Sequence, residues 1–302
     1  MTLLHYRIFG LSVASALELP ELAPADAAAP DVAIRRAAIG LPAAAPGYSV
    51  TGDGTLLTVT GVGRFLIRDG REIVVERDSR AADRNVRLFL LGSAFGALLH
   101  QRGLLPLHAN AIDVAGRGIA FAGHSGAGKS TMAAWFHDRG HTILADDVCV
   151  VTLDSAGKAV AWPGVPRLRL WREALEKSGR TVAGHRRSFD DLDKWDVPTA
   201  ASAAARPLPL ERIYVLARAE ETAPAPLVRR LAGVEAVDAL VANTYRGGYV
   251  RLAGLTGAHL ARCLEIARAV PVFEARRAWG FDAFDRQAAL LREHALAASA
   301  EA

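Results

Sequence analysis

The sequence predicts an α/β fold: a mixed-sheet domain preceded by a small, mainly antiparallel β module. Three observations predict it. Apolar and polar residues alternate through "YSVTGDGTLLTVTGVGRFLIRDGREIVVERD", residues 48–78, the period of half-buried strands. A strand, a glycine loop, a helix and another strand follow one another between residues 105 and 151. Beyond residue 208, strands and helical stretches alternate again. With 302 residues, 51% of them hydrophobic, the chain is long enough for two ordinary domains with buried cores. The expected division is 1–88 for the β module and 89–302 for the α/β domain.

Taken in order, residues 1–88 read as strands, with turns at Gly52-Asp53-Gly54 and Asp69-Gly70. The Ala- and Pro-rich "ELAPADAAAPDVAIRRAAIGLPAAAPGY" reads as a surface connection. Helical spacing runs from Val86 to Gly103, where glycine can stop a helix. "LPLHANAIDVAGRGIAFAG" reads as a hairpin around Ala115-Gly116-Arg117-Gly118. "STMAAWFHDRG" is a helix that Gly140 can end. "HTILADDVCVV" is the next strand, forming a parallel pair with the strand before the glycine loop. "WPGVPRLRLWREALEKSG" reads as a turn and then a helix, and Asp190 to Lys194 as a loop. "LERIYVLARA" and "VPVFEARRA" read as strands. Helices are expected from Gly233 to Val241, from Gly257 to Ala269 and from Phe281 to Ala297.

Composition narrows the function. Cys149 and Cys263 are too few for a disulfide framework, and the first residues lack a basic segment followed by an apolar run. The apolar run "LFLLGSAFGALL" is shorter than the roughly 20 residues a membrane span requires. A cytoplasmic protein with reduced thiols is expected, with no membrane partner. The net charge is only +4. Its most basic region, Arg167, Arg169, Arg172, Lys177, Arg180, Arg186 and Arg187, suits an anionic nucleotide or acidic peptide better than nucleic acid.

The most specific signal is "GHSGAGKST", Gly123 to Thr131. Gly123, Gly128, Lys129 and Ser130 fit the phosphate-loop pattern, here set between a predicted strand and a predicted helix. Glycines let the backbone curl so that successive N–H groups point at phosphate oxygens, and the helix adds its dipole. The expected nucleotide cradle is Gly123, His124, Ser125, Gly126, Ala127, Gly128, Lys129, Ser130 and Thr131. Lys129 is placed on the terminal phosphates and Ser130 on magnesium. Asp146 and Asp147 end the next strand, where open α/β sheets hold ligands. One carboxylate there can orient magnesium while the other accepts a proton from an attacking hydroxyl. A solvated strand end with one metal-binding aspartate is the alternative. His108, on the preceding strand, shares a face with Asn110 and Ile112. It is either a site residue or a satisfied core histidine.

The stretch "LHANAIDVAGRGIAFAGHSGAGKST", continued by "GHTILADDVCVV", resembles the catalytic domain of HPr kinase/phosphorylase, which shares a fold with phosphoenolpyruvate carboxykinase. The resemblance is specific over His108 to Val151. It implies that His108 lies near the transferred phosphate. It also implies that one of Asp146 and Asp147 is the base toward a serine hydroxyl and the other helps with magnesium. Asp146 is taken as the base and Asp147, with Ser130, as the metal side, the reverse staying open. Thr131 stands where that family has an acidic residue, and Arg167 and Arg169 stand in the region of its metal-assisting glutamate. The segments "LRLW" and "NTYRGGYV" are similar to HPr kinase-like proteins encoded beside peptide-modification genes. These include kinases of the C-terminal serine of lasso-peptide precursors. In that subgroup Arg246 and Lys194 would contact the γ-phosphate or a peptide carboxylate.

The expected function is therefore an ATP- and Mg2+-dependent serine kinase acting on a peptide or small protein, with a homo-oligomer expected because the family tends to form rings. The alternatives are a small-molecule kinase, a non-catalytic nucleotide-gated binding protein and, more remotely, a carboxykinase.

Overall fold

The computed structural model describes residues 3–165, 167–177, 185–189, 192–198, 206–219, 227–278, 280 and 283–297. The N-terminal strands are β1 (Leu4–Ile8), β2 (Leu11–Ser15), β3 (Val32–Arg36), β4 (Gly47–Thr51), β5 (Gly54–Val59), β6 (Gly63–Arg68) and β7 (Glu72–Arg77). They form one sheet in the order β1-β2-β3-β7-β6-β5-β4. Its pairs are antiparallel except β2–β3 and β3–β7. The strand β3 corrects the expected surface connection. Val32 and Ile34 are fully buried while Arg35 and Arg36 are exposed. Burying each of those two apolar side chains is worth about 2 kcal/mol. Flanking alanines and prolines hid the alternation.

Helix α1 (Asp83–Phe89) continues through one π-helical stretch, Leu90–Ala94, into α2 (Phe95–Gln101). The expected boundary at residue 88 therefore falls inside α1. Leu90, Phe95, Leu98 and Leu99 share one core with the inner face of the N-terminal sheet, and Val148, Val150, Tyr245 and Tyr249 from later in the chain join it.

Next come β8 (Leu105–Leu107), β9 (Ala109–Val114), β10 (Arg117–Ala122), α3 (Lys129–His137), β11 (Thr142–Ala145), β12 (Cys149–Leu153), β13 (Ala159–Trp162) and β14 (Arg167–Trp171). They are followed by α4 (Arg172–Lys177), β15 (Arg186–Phe189), β16 (Leu192–Pro198), β17 (Leu208–Arg218) and β18 (Leu227–Leu231). The chain closes with α5 (Val234–Ala242), α6 (Gly247–Leu252), α7 (Thr256–Ala269), β19 (Val272–Arg277) and α8 (Phe284–Ala297). The second sheet is mixed, in the order β11-β9-β10-β17-β13-β12-β8, with β19 on β17 and β18 on β19. Alternation along β9 and β10 sends Ile112, Ile119 and Phe121 toward α3 and α8, and Ala109, Ala111, Ala120 and Ala122 toward α5 and α7. The sheet is thus covered on both faces.

Three further expectations are corrected. The strands flanking α3 are not a hydrogen-bonded pair, because the hairpin strand β9 lies between β10 and β11, antiparallel to both. In the stretch expected as a turn and then a helix, "RLRLW" is strand β14, and the helix α4 begins only at Arg172. Leu168 and Leu170 are buried on one face, and the strand pairs with β16 in a three-stranded sheet. The expected loop at Asp190 to Lys194 is strand β16 from Leu192 onward, and Asp190 and Asp191 lie outside the described residues. No helix among the described residues is long and apolar enough to cross a membrane.

Candidate active site

The cradle forms where β10 ends. Gly123, Gly126 and Gly128 adopt φ of +141°, +86° and +88°, values that side chains disfavour. A Cβ at Gly128 would lie 2.0 Å from Arg277 Nη2, so a side chain here would have to displace that guanidinium as well as adopt a disfavoured φ. His124, Ser125 and Gly126 are exposed on the loop rim, Ala127 is buried beneath it, and Ser130 and Thr131 are half-buried at the start of α3. The Lys129 ammonium is folded back on the loop, donating to Gly123 O at 2.7 Å and His124 O at 3.0 Å. Burial lowers its pKa to about 8, and Lys194 pushes the same way against Asp147 and Asp146.

The aspartates sit on a sharp turn. Val148 N–H donates to Asp146 O at 2.9 Å, which puts Asp147 at the apex with φ +69°. A non-glycine residue in that region carries strain of order 1–3 kcal/mol, and such strain concentrates at functional sites. The turn separates the two carboxylates. Asp146 is 6% exposed. Its Oδ1 accepts from Asn110 Nδ2 at 2.6 Å and its Oδ2 from the Arg169 main-chain N–H at 2.8 Å. Burial raises its pKa to about 6, with Asp147 adding to the rise and Arg169 opposing it. Asp147 Oδ2 instead takes the Arg169 guanidinium at 2.5 Å. Burial also pushes Asp147 upward, but Arg169, followed by His108, Lys194 and Lys129, brings it down to about 2. Two adjacent acids are thereby driven apart, one poised near neutrality and the other held as an anion.

His108 falls in the break between β8 and β9. Its Nδ1 is 3.1 Å from Asp147 O and 3.5 Å from Asp147 Oδ1. Burial lowers its pKa, with Asp147 opposing. The segment before α6 closes over this break. The His108 N–H donates to Asn243 O at 2.7 Å and the Tyr245 N–H to Pro106 O at 2.8 Å. Buried His100 fixes the same segment through Tyr245 O, 2.8 Å from its Nε2. Arg246 follows with φ +55° and feels the Asp147 charge. Lys194, on β16, stacks over Trp171 at 4.9 Å.

Two cavities meet here. One of about 560 Å³ lies beside Gly123, His124 and His108. The other, of about 300 Å³, opens on Asp146 and Asp147. Tyr245 and Arg246 line both.

The structure thus brings Asp146, Asp147, His108, Lys129, Lys194 and Arg246 into one site beside the phosphate loop. Sequence reasoning gave no role to Asn110, Tyr245 or Arg277, and saw Arg169 only as part of a basic run and as a residue standing in the region of the resembled family's metal-assisting glutamate. Much of that run is paired within the chain: Arg167, Arg169, Arg172 and Arg187 lie within 4 Å of Asp196, Asp147 and Asp193 carboxylates, at distances of 2.5 to 3.8 Å. Arg180 is outside the described residues. Among the described residues no group of three or more His, Cys, Asp or Glu side chains converges on one point. Magnesium held with a nucleotide needs less, because phosphates and waters supply most ligands and the protein one or two. Asp147, kept anionic, and the Ser130 hydroxyl fit that donor set.

No protein-family model matches the chain, and no curated protein matches it. Among solved structures, the Hpr(Ser) kinase/phosphatase from Coxiella burnetii matches with 16% identity over 64% of this chain and 98% of that chain, at a TM-score of 0.35. A likeness of that degree does not establish a common fold.

Proposed function

We propose that the chain is an ATP- and magnesium-dependent kinase that transfers the γ-phosphoryl group to a serine hydroxyl of a peptide or small protein. The observation that carries this reading is the divided acid pair opening on a cavity next to the phosphate loop. A buried carboxylate held in place by the Asn110 amide and the Arg169 main-chain N–H beside such a loop is positioned to take a proton from an acceptor hydroxyl.

Magnesium bound with ATP would neutralise charge on the phosphates, held on the protein side by Asp147 and Ser130. Lys129 leaves its loop carbonyls to bind the terminal phosphate oxygens. Asp146 accepts the serine proton as the new O–P bond forms and the bond to the ADP oxygen breaks. Asn110 and Arg169 keep that carboxylate aimed. Arg246 and Lys194 add positive charge around the transferred group, and His108 holds the Asp147 turn. Most of the catalysis is positioning and electrostatics.

The C-terminal serine of a lasso-peptide precursor is the specific acceptor that the sequence resemblance points to, in a cytoplasmic and homo-oligomeric enzyme. A cavity of about 300 Å³ also suits a small hydroxylated molecule, which is the second reading. Incubation with labelled ATP, magnesium and either serine-containing peptides or free serine separates the two. Label on peptide serine that disappears in Asp146→Asn, with nucleotide binding retained, is the expected result. Absence of transfer to any hydroxyl acceptor would overturn the kinase reading.

A further inference from the structure

The acceptor-side cavity is built from both ends of the molecule. Its polar floor is Asp146 and Asp147, with Arg167, Arg169 and Arg246 at its edge. Its walls are apolar: Phe9 from the β1–β2 turn, Leu88 and Phe89 from α1, Leu91 and Gly92 from the π-helical stretch, and Val148 and Val165 beside the acidic turn. Phe9 is anchored by its N–H to Pro163 O at 3.0 Å and packs against Phe95 with ring centroids 6.2 Å apart. Gly92 lets Tyr245 approach closely, since a Cβ there would lie 3.1 Å from Tyr245 Oη. Leu88 and Val165 are only partly buried, so they leave apolar surface facing this space.

Phosphate transfer alone does not call for aliphatic walls. Beside two carboxylates they make ionisation harder, and they gain nothing from water or phosphate. Phe9, Leu91 and Val148 are already buried in the core, so the apolar surface left for an incoming group to cover is that of Leu88, Phe89 and Val165. The volume, about 300 Å³, sits at the small end of ligand sites and admits roughly one large side chain beside the reacting hydroxyl. We infer that this cavity is a specificity pocket for a bulky apolar side chain next to the phosphorylated serine. The N-terminal sheet and its helix supply the selecting wall. This rests on the kinase reading and adds the chemistry of the acceptor.

The test uses two series of short acetylated peptides, one with residue X before a C-terminal serine that keeps its free carboxylate and one, as amides, with X after the serine, X being Leu, Ala or Asn. Leucine and asparagine are close in shape and differ in polarity. Affinity is measured on the full chain with magnesium and a non-hydrolysable ATP analogue, and kcat/KM with ATP. In one series the Leu peptide is expected to bind at least about tenfold more tightly than the Ala and Asn peptides, the scale set by a few methylenes in an apolar pocket. Leu88→Gln with Val165→Gln, both at half-exposed positions, should shrink that ratio below about threefold while nucleotide affinity holds. Equal or absent binding across X, or a preference that survives the double substitution, overturns the pocket. A Leu preference without phosphate transfer supports the pocket and sinks the kinase. Transfer indifferent to X keeps the kinase and sinks the pocket.

Discussion

Asn110 Nδ2 lies 2.6 Å from Asp146 Oδ1, and both side chains are buried. The amide oxygen of Asn110 has no hydrogen-bond partner among the described residues. One end of this amide therefore serves the carboxylate. A donor placed on a buried strand at hydrogen-bond distance from Asp146 favours its ionised form.

Removing the donor tests that use. In Asn110→Leu the ionised form of Asp146 loses a hydrogen bond, so its pKa rises and the acid limb of the pH–rate profile moves to higher pH. The expected displacement is about one unit, the scale of a hydrogen bond to a charged group. An unchanged limb with merely lowered kcat would make Asn110 a packing residue.

The wild-type profile itself is expected to be bell-shaped. Asp146, at about 6, must be deprotonated to act as base, so kcat/KM falls below that pH. Lys129, at about 8 in the free protein, must be charged to receive phosphate, so kcat/KM falls above that pH. Lys129→Arg should abolish the alkaline limb even if the maximum is lower, because a guanidinium stays protonated. A profile flat from pH 5 to 7 would remove Asp146 from the role of base.

Asp146 also links stability to pH. Folded, it holds its proton up to about 6, whereas an unperturbed aspartate releases it near 3.8. Between those values the native state binds the extra proton, so stability declines as pH rises through this window and stays lower above it. The full effect is about 2–3 kcal/mol. Asp147 acts in the opposite sense: its pKa near 2 gives stability that is present above the ordinary aspartate value and is lost as pH falls toward 2. Asp146→Asn should therefore gain on the wild type in thermal midpoint between pH 4 and pH 7. A difference constant across that range would contradict the raised pKa.

The glycine loop and the acidic turn, which the structure places side by side, were legible as patterns because each is local in sequence. Nine consecutive residues make the cradle, and two adjacent aspartates end a strand. Arg169 was harder to see. In "RLRLW" two leucines alternate with two arginines, but the strand is short and runs directly into α4, so the helix period dominated the reading. The β3 strand was lost for a similar reason, its three-residue alternation being framed by alanine and proline. Arg277 had no local signal at all. Its guanidinium reaches Ala127 O across 150 residues of sequence, a meeting that only the pairing of β19 beside β17 creates.

That meeting yields the last prediction. Arg277 is 4% exposed, and its Nη2 donates to Ala127 O at 3.2 Å from beneath the loop. Burial lowers its pKa to about 10, so it remains a cation at neutral pH. It sits where a Cβ on Gly128 would be, and so props the curled backbone from beneath. Arg277→Met keeps much of the side-chain volume and removes the prop and its charge. Nucleotide affinity should fall by about tenfold, the loss of one charge-assisted hydrogen bond, while the acid limb set by Asp146 stays in place. Gly128→Ala should be more severe, since it meets both the guanidinium and a φ of +88°. Combining it with Arg277→Met should relieve the collision but leave the backbone strain, so affinity should recover only in part. Full recovery in the double variant would mean that the collision alone explains the glycine. Unchanged affinity in Arg277→Met would mean that the loop holds its shape without the arginine.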